Sequence, residues 1–82
     1  MYVELIYDKR NVAGLPGANE MIQDELTRRL HRVFPDAEVR VKPMMTLSQI
    51  HTDASKSDKS IISQLVQEMF EEADMWLTSA DI

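Results

Sequence analysis

The sequence predicts an α+β fold: a small mixed β-sheet of two or three strands in the order β-α-β-(β)-α, with two helices packed on one face. Three observations point there. Residues 2–8 and 38–42 alternate apolar and polar side chains with the period of a strand. Residues 18–34 and 56–77 carry apolar side chains at helical spacing. The order of these segments joins the first two strands through a helix, which favours a parallel pair with a right-handed crossover. The 82 residues leave room for one core, so a single domain over residues 1–82 is expected.

In the first strand Val3, Leu5 and Tyr7 alternate with Tyr2, Glu4 and Ile6. Residues 9–17, KRNVAGLPG, hold both glycines and a proline and read as a loop. A helix is expected from Ala18 to Phe34, with Ile22, Leu26, Leu30, Val33 and Phe34 on one stripe. Arg28, Arg29 and Arg32 crowd its last turns, where cations suit the helix dipole, and Pro35 ends it. In the second strand Val39 and Val41 alternate with Glu38, Arg40 and Lys42, and Pro43 closes the strand or places it at an edge. Residues 47–51 are a candidate third strand, antiparallel to the second. Ser55 with Asp58 three residues on resembles a capping box. From there one continuous helix is expected to Leu77, with Ile62, Leu65, Val66, Met69, Phe70, Ala73, Trp76 and Leu77 on its apolar face.

The composition excludes several classes. With no cysteine there is neither a disulfide framework nor a thiolate metal site. No apolar run is long enough to span a bilayer, and the opening MYVELIYD does not read as a signal peptide, so the cytoplasm is the expected location. His31 and His51 lack the spacing of metal ligands and read as solvated or capping residues, so no metal or cofactor is expected. No GxSxG elbow and no glycine-rich phosphate loop is present. The carboxylates lie on a helix that presents them to water, whereas acid–base catalysis needs two in unlike environments. The expectation is a binding protein and not an enzyme. Arg28, Arg29, Arg32, Arg40 and Lys42 form the one basic group, but no aromatic side chain is interleaved with them. Direct nucleic-acid binding is therefore not expected.

The net charge of −5 is unevenly placed. Residues 1–59 hold nine acids and nine bases, whereas residues 60–82 hold Glu68, Glu71, Glu72, Asp74 and Asp81 and no base. At about 100° per residue, Glu72, Glu68 and Glu71 lie about 60°, 100° and 160° to one side of Met69 and form a ridge beside the apolar face, with Asp74 on the other side. Their i,i+3 and i,i+4 repulsions cost roughly 0.2–0.5 kcal/mol each. Acids near a helix C-terminus also face its negative pole, at about 0.3–1 kcal/mol. A helix selected only for stability would carry bases there. The alternative is a merely solubilising face; the excess of local cost favours a surface that meets a basic partner.

At these residues the sequence resembles the DinI-like family. The resemblance is carried by Glu25-Leu26-Thr27-Arg28-Arg29-Leu30 with Phe34-Pro35-Asp36, and by Asp58-Lys59, Ile62, Gln67-Glu68, Glu71, Ala73-Asp74 and Trp76. It covers nearly the whole chain. The opening VELIYDKRNVAGLPGA and the ending MFEEADMW resemble most the virulence-associated, MsgA-like branch. The resemblance implies two helices on one side of a small sheet. It also implies a cytoplasmic, monomeric protein that binds the RecA recombinase filament and tunes the SOS response. The acidic C-terminal helix would act like a nucleic-acid backbone, with Glu68, Glu71 and Asp74 at the matching positions and Glu72 beside them. Phe70 stands where the founding member has tryptophan, Met75 where it has an acid, and residues 43–54 depart from the pattern. Those departures leave room for a second reading, an acidic interaction protein or nucleic-acid mimic aimed at a different basic partner in virulence or prophage control.

Overall fold

The computed structural model describes residues 1–12 and 15–77. Strand β1 (Tyr2–Asp8) leads through a 3-10 turn (Lys9–Val12) to helix α1 (Ala18–His31). Strands β2 (Glu38–Met44) and β3 (Gln49–Thr52) follow, then helix α2 (Lys56–Glu71) and a single further turn, α3 (Ala73–Trp76). The sheet order is β2-β1-β3. β1 pairs parallel with β2, Val3 opposite Val39 and Leu5 opposite Val41. It pairs antiparallel with β3, Leu5 opposite Ile50.

Alternation along β1 decides where the core lies. Val3, Leu5 and Tyr7 point to one face and are buried with Ile22, Leu26 and Leu30 of α1 and Ile62, Val66 and Met69 of α2. Both helices therefore cover the same side of the sheet, as the two apolar stripes predict. The other side carries Glu4 between Arg40 and His51 in register, and Ile6 between Lys42 and Gln49.

Four expectations change in detail. The loop expected over residues 9–17 begins as the 3-10 turn, fixed by Asp8, whose carboxylate accepts from the Arg10 backbone N–H and guanidinium; Ala13 and Gly14 lie outside the described residues. Helix α1 ends at His31 and not at Phe34, because the residue before a proline is pushed out of the helical region. Its last carbonyl groups are used locally: Phe34 N–H donates to Leu30 O at 2.6 Å. His31 Nε2 donates to Ala37 O at 2.9 Å, which fixes the proton on that nitrogen and makes the residue a clasp on the α1–β2 connection. The third strand exists, but at Gln49–Thr52 and on β1, not on β2. The parallel crossover leaves β1 central with one open edge, and Thr52 Oγ1 to Tyr2 O at 2.6 Å ties β3 to it there. β2 keeps the outer edge, where a proline such as Pro43 is tolerated.

The fourth change is in the C-terminal helix, which is not continuous to Leu77. Ser55 caps its start as expected, its Oγ accepting from Asp58 N–H at 3.2 Å. It stops at Glu71, and Glu72 leaves helical geometry at φ −101°, ψ 16°. Trp76 then folds back, its indole N–H donating to Met69 O at 2.7 Å. That bond takes a carbonyl which a continuing helix would have satisfied with the backbone of Ala73. Uncapped acids at the negative pole make the break cheap. Trp76 and Phe70 are half-buried against the core, with ring centroids 6.3 Å apart and tilted by 54°. Trp76→Ala is expected to cost about 2 kcal/mol, roughly half the 3–5 kcal/mol of a fully buried aromatic. Trp76→Phe should cost only about 1 kcal/mol, for the lost hydrogen bond. Urea melts of both variants check the order; a Trp76→Phe that melts like the parent would mean that the indole N–H contributes nothing.

Tyr7 gives a pH test of the core. Its ring is buried and its hydroxyl donates to Asn19 Oδ1 at 2.9 Å. Burial raises its pKa above the ordinary phenol value. The fold therefore favours the protonated phenol. That contribution is complete below the unfolded value of about 10 and is lost as pH rises through the higher folded value. Melting temperature should accordingly fall in alkali, and Tyr7→Phe should remove part of the fall. At neutral pH the same variant should cost about 0.5–1.5 kcal/mol, the net worth of one hydrogen bond.

Candidate partner-binding surface

The acidic residues do not behave as one set. Glu68 and Glu71 lie on α2 before the break, so they keep the helical register and share an exposed shallow cleft with Ser60, Ser63, Gln64 and Gln67. Ser60, Gln64, Gln67 and Glu71 recur at three- and four-residue spacing, which makes this one polar face of the helix. Gln64 Nε2 donates to Glu68 Oε1 at 3.1 Å and so fixes one carboxylate on that face. Asp74 is exposed but sits on α3, beyond the break, where the angle measured along α2 no longer applies. Asp81 lies outside the described residues.

Glu72 turns the other way. Its Oε1 lies 2.8 Å from Nη1 of Arg29 on α1. Arg29 is mostly buried and also donates from Nε to Glu25 Oε2 at 2.6 Å. Burial opposes the charge of Arg29, but hydrogen bonds to Glu25 and Glu72 outweigh it and hold its pKa above the ordinary value. Glu25 is itself buried, 6% exposed, and its other oxygen accepts from Arg28. Glu25, Arg29 and Glu72 thus form a chain of charges that fastens α1 to the end of α2. The segment's own lack of bases, read along the sequence, is relieved in space by α1.

The basic group is divided in the same way. Arg28 and Arg29 serve Glu25, and Arg40 pairs with Glu38 at 2.9 Å on the opposite side of the sheet. Arg32 has no ion-pair partner among the described residues. Spacing could have suggested the links from Glu25 to Arg28 and Arg29, three and four residues on. Nothing in the spacing marks Glu25 as buried or pairs Arg29 with Glu72, 43 positions further along.

Among the described residues no three His, Asp or Glu side chains converge as metal ligands would. No helix there is long and apolar enough to cross a membrane. What the surface offers is fixed charge: a helix face with two exposed carboxylates, set on a small α+β scaffold with an ion-paired seam behind them.

A three-stranded mixed sheet, two helices on one face and an acid-bearing second helix define a small α+β protein whose distinctive chemistry is on its surface. The chain belongs to the DinI-like family, whose model matches residues 16–77. It is 56% identical over 79 residues to the virulence protein MsgA of Salmonella typhimurium, a match covering 96% of this chain and 99% of that protein. It is 36% identical over 80 residues to DNA damage-inducible protein I of Serratia marcescens, covering 96% and 99%. It is 42% identical over 67 residues to DNA damage-inducible protein I of Escherichia coli K12, covering 77% and 80%.

Proposed function

We propose that the protein binds the RecA recombinase filament through the acidic face of α2 and thereby modulates the SOS response to DNA damage. The observation that carries this reading is the exposed pair Glu68 and Glu71 on one uninterrupted helical face, in a chain whose relatives include proteins named for DNA-damage induction. Two carboxylates on a rigid helix offer a basic groove what a nucleic-acid backbone offers it, regularly spaced negative charge. Glu72 and Asp74 belong to the rim of the surface, Glu72 because Arg29 already holds it and Asp74 because it lies past the break. The protein acts by binding, without catalysis or cofactor, as a cytoplasmic monomer of one domain, and does not itself take up nucleic acid.

The test is binding to RecA filaments on single-stranded DNA, with cleavage of the LexA repressor followed in the same mixture. Saturable binding that changes the cleavage rate is expected, and it should weaken as salt rises, since exposed charges are screened over about 8–10 Å at physiological ionic strength. A second reading follows from the 56% identity to a virulence protein: the acidic face meets a different basic protein. Absence of filament binding at low salt would favour it.

A further inference from the structure

Between the two helices lies a cleft of about 300 Å³ whose walls differ in sign. Arg28 on α1 and Arg32 just past its end form one wall, Glu68 on α2 and Glu72 just past its end the other, with Val33 and Leu65 among the lining residues; Arg29 bonds Glu72 across the seam. Glu68 therefore borders two surfaces, the polar face of α2 and this seam. Arg28 has a largely exposed side chain although it touches Glu25. Arg32 is exposed at the end of α1 and has no ion-pair partner among the described residues. Val33, an apolar residue beside them, is 48% exposed.

We propose that the binding surface extends across this seam, with Arg28 and Arg32 as its second half, and that it takes a protein segment in which a basic stripe is flanked by carboxylates. The inference rests on the acidic face of α2 being the docking surface, and it names the chemistry of the partner. Charge complementarity chooses the occupant. A polyanion drawn to the arginine wall meets the repulsion of Glu68 on the facing wall, with Glu72 beside it already held by Arg29. A uniformly basic groove drawn to the glutamates meets the arginines. Only a surface with both signs in adjacent rows satisfies both walls, and an apolar side chain beside them would cover Val33 and Leu65. The opposed walls also supply discrimination, because a wrong register places like charges together.

Arg32→Glu separates this proposal from an acidic face acting alone, because the two predict opposite signs. If the acids alone bind, adding a negative charge beside them leaves affinity for a basic groove unchanged or tightens it. If the arginine wall binds carboxylates, affinity for the RecA filament on single-stranded DNA falls by about tenfold or more. Arg32→Gln, which removes charge without reversing it, should fall between parent and Arg32→Glu. Arg28→Gln, which leaves Arg29 on Glu25, should weaken binding as well. A melting curve on each variant shows that the fold is kept, and Glu71→Lys is measured alongside. Loss of binding in Glu71→Lys with equal or tighter binding in Arg32→Glu overturns the seam and leaves the acidic face standing. No filament binding by the parent overturns both. Direct uptake of a single-stranded oligonucleotide that Arg32→Glu abolishes would make the arginine wall a nucleic-acid site and overturn the proposal as well.

Discussion

Arg29→Ala is expected to destabilise the fold by about 3–5 kcal/mol, the cost of removing one partner from a buried ion pair. Glu25 has a side chain only 7% exposed, and Arg29, at 17%, is the better buried of its two partners. Without Arg29, Glu25 keeps only Arg28, whose own side chain is 62% exposed and reaches the carboxylate from the solvent side. Glu72 also loses its link to α1. For a chain of this length, 1 kcal/mol corresponds to about 4–8 °C in melting temperature. A fall of at least about 12 °C is therefore expected in a calorimetric or circular-dichroism melt. The double variant Glu25→Leu with Arg29→Met makes the cause visible. If the loss comes from stranding a buried carboxylate, replacing both groups with apolar ones should recover most of it, since buried pairs are often matched by hydrophobic substitutes. A single variant that melts within 3–4 °C of the parent, under about 1 kcal/mol, would show that water reaches Glu25 freely and that the seam is not structural.

The fold was legible where one face of an element is buried and the other is not. Val3, Leu5 and Tyr7, the stripe Ile22–Leu26–Leu30 and the set Ile62–Val66–Met69 are all periodic in the sequence, and they are the core. Parallel pairing of β1 with β2 followed from the helix between them. The partner of β3 did not follow. Gln49–Thr52 is four residues with two of them half-buried, and such a segment satisfies either edge of the sheet equally well by pattern. Local rules also failed at the end of α2. The apolar spacing runs on through Trp76, but the indole N–H of that residue bonds a carbonyl seven positions back, and no periodicity encodes such a bond. The acidic surface was legible as composition and only partly as geometry. Glu68 and Glu71 are where helical angles put them, whereas Glu72 is drawn aside by an arginine from another helix and Asp74 lies beyond a break. Long-range ion pairs between residues of ordinary surface type leave no mark in a single sequence.

That division sets the last expected result. Reversing Glu68 and Glu71 together to lysine should weaken binding to RecA filaments by on the order of a hundredfold, each reversal contributing about 1–2 kcal/mol at a charged interface. Stability should barely move. Glu71 is exposed and near the negative pole of α2, so Glu71→Lys is expected to be neutral or slightly stabilising. Glu68→Lys gains the same relief but approaches Arg29 and Arg32 across the seam, so the two effects should nearly cancel. Glu72→Lys differs in sign. It removes the contact with Arg29 and sets a second cation against it, and should cost about 1 kcal/mol, a partly exposed pair lost with repulsion added. The three variants thus separate binding from folding. Glu71→Lys should bind poorly and melt like the parent, and Glu72→Lys should melt earlier whatever it does to binding. Titrations at two salt concentrations complete the test, because a contact made by exposed carboxylates must weaken with salt in the parent and lose part of that dependence in the double reversal. If the double reversal binds filaments as tightly as the parent at both concentrations, the acidic face of α2 serves solubility and the docking surface lies elsewhere on the fold.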